Sequence, residues 1–266
     1  MPHRAIHLSD LHLGKRQLSA VADALAALAA ELRPELVFAT GDLAHRGTRT
    51  QLEEARALLE SLGVRTLAVP GNHDLPYTFP ARFTRPWVEF VRAFGSTDPV
   101  VRSEAIVAVG LNSARPWRHQ GGGLSRARLE RAAHELADAP AGALRVVALH
   151  HHLVGAPWRA SRKLPLSRRD RALSALAAAR AELVVGGHIH QSSTAERHEF
   201  VALEEKASGS LVLATAPGFG RPRPQRTGEA QGLHVYEWDA EQLVVITRAW
   251  DGAVFAPTAR REFPRR

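Results

Sequence analysis

Side chains that can bind metal ions occur in five short groups within the first 190 residues. An Asp-x-His group is followed by Gly-Asp, Gly-Asn-His-Asp, a run of three histidines and Gly-His-x-His. The candidate ligands in these groups are Asp10, His12, Asp42, Asn72, His150, His188 and His190. Carboxylate, imidazole and amide groups together suit divalent transition metals such as manganese, iron or zinc. Because the chain has no cysteine, thiolate metal sites and cysteine nucleophiles are excluded.

Each group alone is weak evidence for a metal site. Asp-x-His is common, and a Gly-Asp pair after a strand is more often an ordinary turn. His188 and His190 are a stronger indication, because residues two apart on an extended segment point to the same side. All five groups in succession, each after an apolar run, indicate one shared site.

Those apolar runs predict the strands that would position the ligands. They cover 5–8, 36–39, 67–69, 146–149 and 183–185. Apolar residues spaced three and four apart predict helices at 18–32, 50–62, 87–94, 125–136 and 167–176. In the helix at 50–62, Thr50 and Glu53 resemble a capping box. The initial β-α-β-α-β order favours a parallel sheet, and in such sheets ligands bind beyond the carboxyl ends of the strands.

After residue 190 the pattern changes. Runs at 211–213, 233–236 and 243–246 predict antiparallel strands, and 217–228 is a loop rich in proline, arginine and glycine. We find no internal repeat and no convincing linker. The sequence therefore predicts a single domain over 1–266, with the core motifs in 5–190.

The formal net charge is +8, and only three of the 35 basic residues are lysine. The arginines are scattered in an alanine-rich chain, which is typical of genome composition, so charge alone does not favour a nucleic-acid partner. It can still attract anionic phosphate substrates. No apolar stretch precedes a cleavage site, and none approaches the roughly 20 residues of a membrane span. The prediction is a cytoplasmic protein without a membrane partner.

The order of the five groups resembles the calcineurin-like metallophosphoesterases. The matching motifs span residues 10–190, and the His-His segment is most similar to bacterial class III cyclic nucleotide phosphodiesterases. The resemblance implies a four-layer α-β-β-α sandwich, in which two mixed sheets are flanked by helices. The strands in 191–250 would belong to the second sheet.

The resemblance also implies two divalent metal ions, of manganese, iron (Fe²⁺ or Fe³⁺) or zinc. The first would bind Asp10, His12, Asp42 and His190. The second would bind Asp42, Asn72, His150 and His188, so that Asp42 bridges the pair. In the family a His-His-Pro-Pro run supplies one ligand through its first histidine. Here His152 and Leu153 replace the prolines, so His150 is preferred as the ligand, with His151 beside it or at the substrate.

Two such ions can share a hydroxide and hold a phosphate for in-line attack. His73 is then the candidate general acid for the leaving oxygen, and Asp74 is expected to support it. The other reading makes His73 a phosphate contact held by Asp74. We expect Asn72, His73, His151 and Arg115 to contact the substrate. His119, in the same aromatic and basic loop as Arg115, fits a substrate contact and a packed surface residue equally well.

These features predict a phosphodiesterase for small phosphodiesters, with 3′,5′-cyclic nucleotides as the first candidate substrate. A phosphomonoesterase and a DNA nuclease are alternatives, because the exonuclease branch shares the opening segment 9–14. A non-catalytic scaffold is disfavoured, because the ligands are intact. A homodimer is compatible with the sequence.

Overall fold

The computed structural model of the chain describes residues 2–14, 19–154, 163–196, 199, 211–220 and 230–265. The strands are β1 (His3–Leu8), β2 (Leu36–Thr40), β3 (Thr66–Val69), β4 (Val100–Arg102), β5 (Ile106–Gly110), β6 (Leu144–Ala148), β7 (Leu183–Gly186), β8 (Ser193–Glu196), β9 (Val212–Thr215), β10 (Gly232–Trp238), β11 (Gln242–Trp250) and β12 (Phe255–Pro264). The helices are α1 (Ser19–Leu32), α2 (Arg49–Glu60), α3 (Ala81–Thr84), α4 (Val88–Phe94), α5 (Arg126–Ala137) and α6 (Arg169–Ala178).

These strands form two six-stranded mixed sheets. The first has the order β12-β11-β10-β1-β2-β3, in which β1, β2 and β3 are parallel and the other pairs are antiparallel. The second has the order β4-β5-β6-β7-β9-β8, in which β5, β6, β7 and β9 are parallel and the two edge strands are antiparallel. The βαβαβ pattern of the sequence thus produces the parallel half of the first sheet.

Three buried apolar layers hold the fold together. One lies between the two sheets and contains Phe38, Val146 and Trp238. A second packs α1 and α2 against the outer face of the first sheet, and a third packs α5 and α6 against the outer face of the second. Burial of this apolar area is the main favourable contribution to folding. The layers confirm the predicted four-layer α-β-β-α sandwich.

The C-terminal strands differ from the sequence expectation. Of the three C-terminal strands that the sequence predicts, only β9 lies in the second sheet, next to the unpredicted β8, whereas β10 and β11 extend the first sheet. The cause is the edge of β1 that faces away from β2, because its backbone groups need partners. Pairing with β10 supplies these partners, in a register that sets Ile6 against Val235.

Helix ends follow their local capping chemistry. The Ser125 hydroxyl accepts from Arg128 N at 3.2 Å and caps α5, as its position predicts. In α2 the capping residue is Thr48, which accepts from Gln51 N, and the expectation of a cap at Thr50 is therefore wrong. Among the described residues, no helix is long and apolar enough to cross a membrane.

Candidate metal centre

The predicted ligands converge where parallel strands of both sheets end. Asp10 and Asp42 follow β1 and β2, Asn72 follows β3, and His150 and His188 follow β6 and β7. Three groups of potential ligand atoms result among the described residues, with the atoms of each group within 4.8 Å of one another, and two of the groups contain only predicted ligands. One contains Asp10, His12 and His190, and the other contains Asp42, His150 and His188. The fold therefore brings together residues separated by up to 180 positions.

In the first group, a carboxylate oxygen and two imidazole nitrogens face one small space. Nε2 of His190 lies 3.0 Å from Oδ1 of Asp10 and 3.2 Å from Nε2 of His12. The other oxygen of Asp10 is held by the Ser9 hydroxyl at 2.8 Å and the His188 backbone N–H at 2.9 Å. One oxygen thus anchors the carboxylate, and the other remains directed at the imidazoles.

The second group is centred on His150. Its Nδ1 donates to the Thr40 carbonyl oxygen at 2.7 Å, so its Nε2 is the nitrogen that faces the site. That nitrogen lies 3.2 Å from His188 Nδ1, 3.3 Å from Asn72 Oδ1 and 3.4 Å from Asp42 Oδ1. Four potential ligand atoms therefore surround a second small space.

Asp42 lies between the two groups. Its Oδ1 approaches His150, and its Oδ2 lies 3.9 Å from His12 Nε2. Oδ2 is buried and accepts no hydrogen bond from the described residues, and the same holds for Oδ1 of Asp10. A buried carboxylate oxygen without a donor is costly, whereas a cation in each group would satisfy both. The residues present therefore fit a pair of metal ions.

The backbone at the site is strained. Asp10, His12, Asp42, His188 and His190 all have positive φ, between 51° and 74°. Non-glycine residues rarely adopt this left-handed conformation, and it concentrates at functional sites. Glycine is required beside them, because a Cβ at Gly187 would overlap the Ser9 hydroxyl. The turns after the strands thus aim the side chains inward, at a conformational cost.

The charges of the site favour the metal-binding protonation states of Asp10, Asp42, His12 and His188, whereas His150 must lose a proton before it can bind a metal ion. Burial alone would raise the pKa of Asp10 and Asp42, but the surrounding histidines hold both pKa values well below their usual range. Burial lowers the pKa of His12 to about 3 and that of His188 well below its usual range. Burial also acts to lower the pKa of His150, yet Asp42 raises it to about 9. Ionised carboxylates and neutral imidazoles are the forms that bind metal.

His73 lies at the mouth of the site. Its ring is 4.8 Å from that of His12, and its Nδ1 lies 2.9 Å from both the His45 carbonyl oxygen and the Tyr77 hydroxyl. A carbonyl oxygen only accepts, so Nδ1 carries a proton, and Nε2 is the nitrogen available to a substrate. The backbone N–H of His73 donates to Asp42 at 2.8 Å, which fixes His73 relative to the ligands.

The expected support of His73 by Asp74 is corrected by the structure. Both carboxylate oxygens of Asp74 accept backbone N–H groups, from Ala44 and Gly71 at 2.8 Å each. Burial and the nearby Asp42 raise the pKa of Asp74 to about 7. Asp74 therefore braces the turns that carry the ligands and does not contact the imidazole.

The expected substrate contact of His151 is also altered. Its ring is fully buried, its Nδ1 lies 2.9 Å from the Ser113 hydroxyl, and its centroid is 4.7 Å from that of His188. It packs behind a candidate ligand. Arg115 lies farther along the same loop as Ser113, with its guanidinium against Gly123.

The sequence analysis missed several neighbours of the site. His45 stacks on His73 with centroids 5.7 Å apart, and Tyr77 holds His73 by its hydroxyl. His119, for which the sequence left a substrate contact open, lies 5.4 Å from Tyr77 and 6.5 Å from His73, at the mouth of the site. The buried Lys163 donates to the His188 carbonyl oxygen. Lys163 lies outside the five groups of candidate ligands, 25 residues before His188, so no pattern in the sequence indicates this contact.

The profile of the calcineurin-like phosphoesterase family matches residues 3–192. The chain belongs to this family, and it is a metal-dependent phosphoric ester hydrolase.

Relatives and solved structures agree with this membership. The chain is 29% identical over 252 residues to a cAMP/cGMP dual specificity phosphodiesterase of Mycobacterium tuberculosis, covering 87% of this chain and 75% of that protein. It is 31% identical over 162 residues to a "probable cyclic nucleotide phosphodiesterase" of Rhodopseudomonas palustris, covering 59% of this chain and 58% of the relative. A dimetal phosphatase from Danio rerio superimposes with a TM-score of 0.69 at 12% identity, over the full length of both chains, which shows the shared fold.

Proposed function

We propose that the protein is a dinuclear metal-dependent phosphodiesterase that hydrolyses small phosphodiesters, with 3′,5′-cyclic nucleotides as the first candidate substrates. The main support is the buried Asp42 carboxylate, which lies between two groups of imidazoles with one oxygen directed at each. The names of the two bacterial relatives support the choice of cyclic nucleotides.

In this proposal Asp10, His12, Asp42 and His190 bind one ion. Asp42, Asn72, His150 and His188 bind the other, and manganese, iron and zinc all suit these ligands. When bound, the ions supply positive charge for the phosphate and lower the pKa of coordinated water toward neutrality. The choice of His150 over its neighbours is supported by its Nε2, which faces three other candidate ligands, whereas His151 contacts Ser113.

The residues of the chain itself supply the proton and position the substrate. His73 has Nδ1 bound to the His45 carbonyl oxygen and Tyr77, so Nε2 is directed away from them and can protonate the leaving oxygen. Asn72 lies beside His150, with its Oδ1 3.3 Å from Nε2 of that residue, and can also contact the phosphate. Arg115 is a candidate contact for a more distant part of the substrate, whereas the buried His151 has a supporting role.

A metal-reconstituted assay tests the proposal. Purified protein with Mn²⁺ should cleave bis(p-nitrophenyl) phosphate faster than p-nitrophenyl phosphate, and cAMP or cGMP should compete with the diester. EDTA should abolish turnover, and Mn²⁺ should restore it.

Each alternative predicts a different result. Faster cleavage of the monoester would contradict the diesterase and favour a phosphomonoesterase. Turnover of the model diester without competition by cyclic nucleotides would retain the diesterase and reject these substrates. No turnover of either ester with bound metal would favour a non-catalytic scaffold.

A further inference from the structure

Two arginines on the loop that borders the metal centre, Arg115 and Arg118, lie near a third, Arg168, which precedes α6 and whose charge acts on Arg115. The guanidinium of Arg115 lies against Gly123, where any Cβ would overlap it. Nη1 of Arg118 donates to the Ser167 hydroxyl at 2.8 Å, and Ser167 forms a β-bridge with Gly123. Arg168, the next residue, has the left-handed φ of 56°. We call Arg115, Arg118 and Arg168 the arginine cluster.

No carboxylate in the part of the chain that the structure describes neutralises the arginine cluster. In the described ranges, no carboxylate oxygen lies within 4.0 Å of any of its three guanidinium groups. Burial and the charges of Arg118, Arg168 and Arg128 lower the pKa of Arg115. Nearby Arg128 is different, because it pairs with Asp98 at 2.6 Å. Mutual repulsion of unpaired guanidiniums is relieved by a bound anion, and guanidinium groups recognise phosphate well.

Large aromatic side chains are exposed beside this cluster. Trp117 lies between Arg115 and Arg118 in the chain and is 69% exposed, and Phe79 is 84% exposed. Phe79 lies 6.3 Å from the half-exposed Phe83 on α3. Exposed aromatic rings of this kind provide stacking surfaces for nucleobases. We call Phe79, Phe83 and Trp117 the aromatic rim.

A chain of contacts links the segments that carry the aromatic rim to the metal centre. Arg82 of α3 donates to the Pro116 carbonyl oxygen at 2.8 Å, which ties α3 to the loop that carries Trp117. At the end of that loop, His119 lies 5.4 Å from Tyr77, which holds His73. Arg115 and His119 are four positions apart in the chain, a span of at most about 14 Å. That is the length of about four stacked nucleotides at about 3.4 Å each.

We infer that the arginine cluster and the aromatic rim bind a single-stranded oligonucleotide, whose scissile phosphate lies at the metal centre. A second phosphate of the strand contacts the arginine cluster, and bases stack on the aromatic rim. This inference rests on the proposed phosphodiesterase and extends its substrates beyond those with one phosphate. The net charge of the whole chain does not favour a nucleic-acid partner. The arginine cluster and the aromatic rim do favour one, because they place positive charge and exposed aromatic rings in neighbouring segments.

Two thymidine substrates distinguish binding at the arginine cluster and the aromatic rim from binding at the metal centre. TpT has one phosphate, whereas 5′-phosphorylated hexathymidylate has several. With Mn²⁺, kcat/KM should be at least about tenfold higher for the hexamer. The logarithm of its kcat/KM should also fall more steeply with the logarithm of salt concentration, by about 0.7 for each additional phosphate contact.

Variants test whether the arginine cluster and the aromatic rim cause the preference for the hexamer. The double variant Arg118→Ala/Arg168→Ala should reduce the hexamer-to-TpT ratio at least fivefold and flatten the salt dependence. Trp117→Ala should lower the hexamer value by at least about fivefold, the weakest effect expected for loss of one stacked base. The matched control is Arg126→Ala, an exposed arginine paired with Glu130 at 2.6 Å, and it should retain the wild-type ratio.

Equal kcat/KM for the two substrates, or an unchanged ratio in the double variant, would overturn the inference while leaving the diesterase intact. Fluorescence anisotropy of labelled hexathymidylate in EDTA tests the same surface without turnover. Wild-type protein should bind at least tenfold more tightly than the double variant. If turnover of bis(p-nitrophenyl) phosphate fails, this measurement still decides the inference, and equal or absent binding by both proteins would reject it.

Discussion

Mild acid should destabilise the protein through a buried histidine that is not one of the candidate metal ligands. His234 on β10 is fully buried, with Nε2 2.8 Å from the Ser192 hydroxyl, and burial lowers its pKa to about 3. In the unfolded chain its pKa would be about 6.5. Between these values the unfolded state binds the proton and the native state does not. Stability therefore falls as pH decreases through 6.5 and continues to fall toward pH 3.

The size of the effect follows from the two pKa values. Between pH 7 and pH 5, His234 alone should remove about 2 kcal/mol from the free energy of unfolding. The perturbation that isolates it is His234→Gln, which retains a polar side chain but does not titrate. The variant is less stable at pH 7, because its bond to Ser192 is altered, yet it should lose about 2 kcal/mol less than wild type on acidification.

Urea denaturation at pH 7 and pH 5, in the same buffer with EDTA, measures this difference for both proteins. The other titratable groups are shared, so their contributions cancel when the two pH dependences are subtracted, except that of His7, whose pKa is lowered by burial and by the charge of His234. Equal losses of stability in wild type and His234→Gln would refute the reasoning, because they would show that His234 is protonated in the native state.

Two further predictions concern the metal centre. In Gly122→Ala the new Cβ would overlap the buried His151 ring, which packs on His188. The Mn²⁺ affinity of this variant, measured by calorimetry, should fall at least tenfold. Gly121→Ala, whose new Cβ would have its nearest contact at 3.5 Å, should keep the wild-type affinity. Equal affinities in the two variants would contradict the packing argument. In His73→Gln, kcat should fall about 10²–10⁴-fold for an alcohol leaving group and less for p-nitrophenolate, which needs no proton. Equal losses for both leaving groups would argue against His73 as the acid.

Much of the site could be predicted because its ligands interrupt apolar runs. A polar residue directly after a buried strand is visible in the sequence, and the parallel order then places such residues together. Prediction from the sequence fails where a side chain of the site is held by a backbone group. His73 is held by the carbonyl oxygen of His45, and Asp74 is held by two backbone N–H groups. Every residue has a carbonyl oxygen and nearly every residue has an N–H group, so such contacts leave no pattern in the sequence.

Tertiary choices account for the other differences. β12 escaped prediction because its middle residues, 257–262, are exposed and mostly charged or polar, and its apolar residues Phe255 and Phe263 lie near its ends. The sheet that β10 joins depends on which strand has an edge without hydrogen-bond partners. The periodicity of a strand sequence does not show which edge that is. The buried bond between His7 and the Tyr236 hydroxyl, at 2.7 Å, joins residues 229 positions apart, so no local pattern reveals it.

The central claim is that Asp42 is shared by two metal ions, and metal content tests it most directly. Protein dialysed against Mn²⁺ and then analysed by inductively coupled plasma mass spectrometry should contain two ions per chain. Asp42→Asn, which preserves the shape of the side chain but removes its charge, should contain fewer than one, with loss of diesterase activity. The exposed Asp138→Asn should match wild type. Two retained ions and full activity in Asp42→Asn would contradict the account.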